Sequence, residues 1–309
     1  MNTTMSGRDW ATLLLLSVLW GGSFFFLEVA LRELPPVTLM LLRVSLGVLP
    51  LLALLGLRGE RLPSAAGTWG MFIVLGLLNN ALPFTLFAFA QLSIESGLAS
   101  ILNATTPLWG VLVAHLALAD ERAGPGKIAG VLSGFAGVAL MIGAGEGLGG
   151  ETLAIILCLA ATLCYALAAA YARRFKPLGI PPLTVATGQL IGATLILLPL
   201  SLLLERPWSL AMPGPVTWAS ILGFAFICTS LAYWLYFRLL ASAGATNALL
   251  VTFLIPVTAI LLGALALGES LEPRHYGGMA LIALGLAAID GRLFAQRTKV
   301  DARAKTLSR

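Results

Sequence analysis

Residues 69–107 come back 149 positions later. At that offset Trp69 falls on Trp218, Leu82 on Leu231, Leu86 on Leu235, Ser93 on Ser242, Ala99 on Ala248 and Pro107 on Pro256 without a gap, and Phe84 and Phe87 meet Tyr233 and Tyr236. With one residue dropped, Glu121 meets Glu269, Gly130 meets Gly278 and Gly137 meets Gly285. Upstream, at an offset of 145 to 146, Trp20 meets Tyr165, Pro35 and Pro36 meet Pro181 and Pro182, and Arg43 meets Gln189. Any two apolar segments share leucines, but rare residues in one order are harder to obtain by chance. The chain reads as two copies of one unit of about 145 residues.

Each unit is built from apolar runs. Charged residues make up 11% of the chain and apolar ones 59%, whereas a soluble domain carries about 25% charged residues. Ten runs reach membrane-spanning length, at residues 10–31, 36–57, 68–91, 97–118, 127–144, 152–172, 182–204, 215–238, 245–267 and 274–294. Each is near the roughly 20 residues that a helix needs to cross about 30 Å of hydrocarbon. Lipid-facing irregular backbone would leave polar groups unsatisfied, so the runs must be helices. A transmembrane barrel is excluded, because its strands are shorter and alternate in polarity. Pro35–Pro36, Gly124–Pro125, Pro181–Pro182 and Pro213-Gly-Pro215 mark loops, and a Gly-rich joint around Gly147 links the copies. The expected division is a cytoplasmic tail at 1–9, a first repeat at 10–145, a second at 146–294 and a basic tail at 295–309.

Basic residues give the orientation. With a cytoplasmic N-terminus, inside segments hold 15 Lys and Arg and outside segments hold only Arg32, Arg206 and Arg274, with Arg43 left within a span. The basic pI of 9.4 therefore reflects membrane topology and not nucleic-acid binding. Five spans per copy is an odd number, so the second copy must insert upside down. The fold expected is an all-α polytopic membrane protein, ten transmembrane helices arranged as a 5+5 inverted-topology repeat. In secondary transporters such repeats place substrate near the bilayer midplane where the copies meet. Cys158, Cys164 and Cys228 lie within apolar runs and are read as packing residues. No metal-ligand cluster, phosphate loop or catalytic set with workable spacing is present in the sequence, so neither an enzyme nor a cofactor or metal site is expected.

The Trp20-Gly-Gly-Ser-Phe start of span 1 and the Pro-Pro…Leu-Leu-Arg43 entry to span 2 resemble the EamA-type branch of the drug/metabolite transporter superfamily. So do the Pro107 and Pro256 spans that end in Leu-Ala-Asp-Glu121 and Leu-Gly-Glu269, each followed by a Gly-rich span. The resemblance implies ten helices, a central cavity and export or exchange of small metabolites, often amino acids, at a bacterial inner membrane. It also implies that spans 1, 3, 4, 6, 8 and 9 line the cavity, with 2 and 7 flanking and 5 and 10 to one side.

Polar groups at membrane depth are costly unless partnered, so each is a candidate. Asn79 and Asn80 sit at the centre of span 3, with Pro83 just beyond. They either bind solute or hold helices together. Arg43 lies about 5 Å from the middle of span 2, and Glu28 about 11 Å from the middle of span 1 toward the same face. An ion pair between them is allowed; otherwise Arg43 receives a substrate carboxylate, or Glu28 takes up a coupling proton. Trp20, Ser23, Asn103, Tyr165, Gln189, Tyr233 and Asn247 complete the candidate substrate-binding set, with packing as the bland alternative for each aromatic. Pro83, Pro107 and Pro256 are candidate hinges. Gly130-x-x-x-Gly134 and Gly188-x-x-x-Gly192 permit close helix contact, within one chain or in a homodimer. The partners expected are the lipid bilayer and a small-molecule substrate, with the chain a monomer or homodimer and both termini cytoplasmic. The function expected is secondary export of amino acids or related metabolites; the alternative is proton-coupled efflux of lipophilic cations.

Overall fold

The computed structural model describes residues 5–117, 123–142, 149–248 and 250–290. The joint at Gly147, the repeat mate Glu121 and the basic tail lie outside the described residues. Within them every regular element is helical. The rods are span 1 (Gly7–Leu31), span 2 (Pro36–Leu57) and span 3 (Ala66–Ala90). Span 4 comprises Ser96–Asn103 and Thr106–Ala117, and span 5 is Pro125–Ile142. Span 6 (Gly150–Ala172), span 7 (Pro182–Leu204) and span 8 (Pro215–Leu240) follow. Span 9 comprises Ala245–Ala248 and Val251–Leu267, and span 10 is Pro273–Asp290. Seven rods are long and apolar enough to cross a membrane; spans 5, 9 and 10 are shorter or less apolar. Spans 2, 5, 7, 8 and 10 each open on a proline, where a missing N–H costs no helical bond.

The packing keeps its form when the halves are exchanged. Span 1 lies along spans 8 and 9, and span 6 along spans 3 and 4; spans 2 and 7 pack on each other, as do 5 and 10. Glycines make the last contact close. A Cβ on Gly130 would lie 2.6 Å from the Gly285 carbonyl oxygen, and one on Gly137 would lie 2.5 Å from that of Gly278. Gly130 and Gly278 are repeat mates, as are Gly137 and Gly285, so the two contacts are one contact seen twice. The pairing runs antiparallel along mated helices, as an inverted repeat demands. Gly188 and Gly192 are pressed against Phe72 of span 3, and Gly134 against Leu108 of span 4. Both small-residue motifs are therefore occupied within the chain.

Carboxylates tie helix ends across the seam. Glu205, at the end of span 7, accepts hydrogen bonds from the backbone N–H groups of Val37 and Thr38 at 2.9 and 2.6 Å, which caps span 2. Its counterpart at the end of span 2, Glu60, accepts from the Thr184 hydroxyl at the start of span 7 at 3.3 Å. After span 9, Gly268 takes a positive φ of 72° and turns the chain back. Glu269 then accepts from the Ser96 and Gly97 N–H groups at 3.1 Å and so caps span 4.

Spans 3 and 8 share a distortion. Leu77–Ala81 and Gly223–Leu231 form wide π turns, and at the 149-residue offset the first falls inside the second. In span 3, Pro83 follows the widened turn; it has no N–H to donate and its ring would crowd the carbonyl four residues back. Span 8 has no proline there. Instead the Thr229 hydroxyl donates to the carbonyl of Phe224, five residues back, at 2.9 Å, while Ser230, 3.1 Å from the Ala225 carbonyl, donates at 2.6 Å to the Gly47 carbonyl of span 2. Two chemistries give one geometry. Span 4 breaks at Ala104–Thr105, in the turn before Pro107, which sits in the first turn of the following helix. Pro256 lies inside a helix, Val251–Leu262.

Candidate functional site

A cavity of about 310 Å³ lies at the seam, walled by spans 1 to 4 of the first repeat and 6, 8 and 9 of the second. Of the residues singled out from sequence, Trp20, Ser23, Arg43, Asn79, Asn103, Tyr165 and Tyr233 line it. Span 2 contributes Arg43 alone, and spans 5, 7 and 10 contribute none. The wall is largely apolar with a few polar groups, the composition of a small-molecule site.

Two aromatic pairs bracket the space. Trp20 packs on Tyr236 with ring centroids 5.4 Å apart, and Tyr165 packs on Phe87 at 6.3 Å. Trp20 and Tyr165 are repeat mates, and so are Phe87 and Tyr236, so each pair is the image of the other. Such contacts form because spans 1 and 8 pack together in the same way as spans 6 and 3.

Arg43 is the one charged residue of the wall. It is 8% exposed. Its guanidinium lies between two rings, 3.6 Å from the Phe84 centroid and 3.9 Å from that of Phe224. Its Nε donates to Thr229 Oγ1 at 3.1 Å, and Thr229 is itself held by the π turn of span 8. The ion pair with Glu28 allowed by depth does not form. Glu28 lies off the cavity and accepts from Gln91 Nε2 at 3.2 Å, at the end of span 3. Arg43 turns instead toward the ring faces of spans 3 and 8, where cation–π attraction offsets part of its desolvation.

Two amides, Gln189 and Asn80, stand behind the wall. Asn79 Nδ2 donates to Gln189 Oε1 at 3.0 Å, and Asn80 Nδ2 donates to the Tyr233 hydroxyl at 2.9 Å. Gln189 and Asn80 therefore hold lining residues in place without lining the cavity. Asn247 is the exception among the candidates. Its Nδ2 donates to the Ala243 carbonyl at 2.9 Å and so secures the turn between spans 8 and 9, away from the cavity. His115 accepts from the Ala123 backbone N–H at 3.1 Å near the end of span 4.

A model of the EamA-like transporter family matches residues 10–143 and matches again over residues 152–289. The chain belongs to the EamA-like transporter family. The double match follows the two repeats. Among similar proteins, Protein PecM of Dickeya dadantii (strain 3937) is 28% identical over 91% of this EamA chain and 92% of its own. A probable amino-acid metabolite efflux pump of Salmonella typhimurium is 27% identical, covering 91% and 94% of the two chains. The uncharacterized inner membrane transporter YedA of Escherichia coli (strain K12) is 24% identical, covering 89% and 88%. A solved crystal structure 21% identical, covering 92% of this chain and 99% of its own, superposes with a TM-score of 0.66 and shares the fold.

Sequence reasoning passed over Phe84, Phe224 and Thr229, which fix the one cation of this EamA cavity. Phe84 carried a signal, since its repeat mate is Tyr233. Phe224 and Thr229 carried none, because their placement depends on the π register of span 8.

Proposed function

We propose that this protein is a secondary carrier that exports amino acids or related small metabolites across a bacterial inner membrane, with both termini in the cytoplasm. The observation that carries the reading is a cavity at the seam of two inverted halves, with two matching aromatic pairs that each join one half to the other. Inverted repeats suit alternating access: one set of helices rocks about a midplane site, and the exchange of roles opens the other side. The π turns of spans 3 and 8 and the break in span 4 give local freedom next to that site. Among the described residues no carboxylate lines the cavity, and Glu28 is engaged with Gln91. Both features favour metabolite export over lipophilic-cation/proton exchange.

Purified protein in liposomes tests this. Saturable flux of a radiolabelled metabolite, reduced at least tenfold in Asn79→Leu, is the expected result. Flux of cationic dyes alone, driven by a pH gradient and abolished in Glu28→Gln, would overturn it.

A further inference from the structure

We infer that the cavity selects a monoanion: a carboxylate on an apolar or aromatic body, gripped by Arg43, with net anions preferred to zwitterions and cations excluded. This rests on the cavity being the transport site.

The geometry of Arg43 leaves one way in. Both faces of its guanidinium are covered, by Phe84 at 3.6 Å and Phe224 at 3.9 Å. Nε is committed to Thr229. The two Nη groups meet no hydrogen-bond partner among the described residues, and neither is sealed from the cavity. No carboxylate among the described residues lines the cavity beside this charge. A buried cation without a counter-ion is costly, since rings repay only part of the lost hydration. An anion arriving edge-on at the Nη pair supplies what is missing. A planar fork of N–H donors with covered faces fits the two oxygens of a carboxylate.

The rest of the wall sets the remaining chemistry. The Tyr233 hydroxyl accepts from Asn80, which leaves its own proton to donate. Trp20, Tyr236, Tyr165 and Phe87 provide surface for an apolar body. An ammonium group finds no carboxylate in the wall among the described residues. A zwitterion therefore keeps one charge unmatched, and a cation meets Arg43 with like sign.

Three probes of one shape separate the charges: 3-phenylpropanoate, phenylalanine and 2-phenylethylamine. Binding to the detergent-purified full chain is read by calorimetry, and flux in proteoliposomes is read separately. The expected order is propanoate, then phenylalanine, then amine, with at least tenfold between the first and last. Arg43→Gln should weaken propanoate by ten- to hundredfold and flatten the order. Arg43→Lys keeps the charge but not the fork, and should retain the order with weaker binding. Equal binding of amine and propanoate to the natural protein would overturn the inference, and so would an unchanged order in a folded Arg43→Gln. If Arg43→Gln does not fold, the order in Arg43→Lys and the natural protein decides. Propanoate that binds by Arg43 but never crosses the liposome would instead sink the carrier reading, leaving the site assignment in place.

Discussion

Arg43 and Gln189 occupy mated positions, and both reach toward the π turn of the opposite half. Arg43 donates to Thr229 of span 8; Gln189 accepts from Asn79 of span 3. The two halves thus agree in shape and differ in charge, with one cation on one side only. Behind the wall, Asn80 is fully buried and its amide nitrogen depends on the Tyr233 hydroxyl. Tyr233→Phe should cost about 1–3 kcal/mol, the penalty for stranding a buried donor, and lower the thermal midpoint in detergent. Adding Asn80→Leu should recover part of that loss; strict additivity in a double-mutant cycle would rule out the coupling. Seven of the ten candidates line the cavity, and they stood out in the sequence because polar and aromatic groups at membrane depth are few and need partners. Asn247 bonds a nearby backbone carbonyl instead, an option open to an amide near a helix end.

Individual helices carry the tightest constraints where mated elements touch. Span 5 meets span 10 through Gly137 and Gly278, where an added Cβ would fall 2.5 Å from a carbonyl oxygen. Gly137→Leu should separate the pair and cost roughly 1–3 kcal/mol or more, read as lost thermal stability. Gly110, with no atom within 4 Å of an added Cβ, serves as control and should tolerate the same change. At the start of span 2, Glu205 accepts from two backbone N–H groups, whereas Glu60 takes one long bond from Thr184. Glu205→Gln should therefore lower stability by about 1 kcal/mol and Glu60→Gln by less, in the same melting assay. The ten rods were readable from apolar run length, since lipid leaves a backbone few options. The π turns were not: Pro83 hints at one, but in span 8 the same widening is accompanied by the Thr229 bond to Phe224, from an ordinary residue in an apolar run.

Across the whole chain, two oppositely inserted copies enclose a space neither could form alone. The offset was legible because tryptophan, proline and glycine keep their order where helices break or touch closely. At the cavity the aromatic mates keep their kind, while Arg43 against Gln189 differs in charge. The most direct test is side-specific thiol labelling at mated loop positions in a background with Cys158, Cys164 and Cys228 replaced by Ala. Ser64, between spans 2 and 3, and Met212, between spans 7 and 8, are both exposed and fall near each other on the repeat. A cysteine at Ser64 should react only from the cytoplasmic face and one at Met212 only from the outer face; reaction of both from the same side would contradict the inverted architecture.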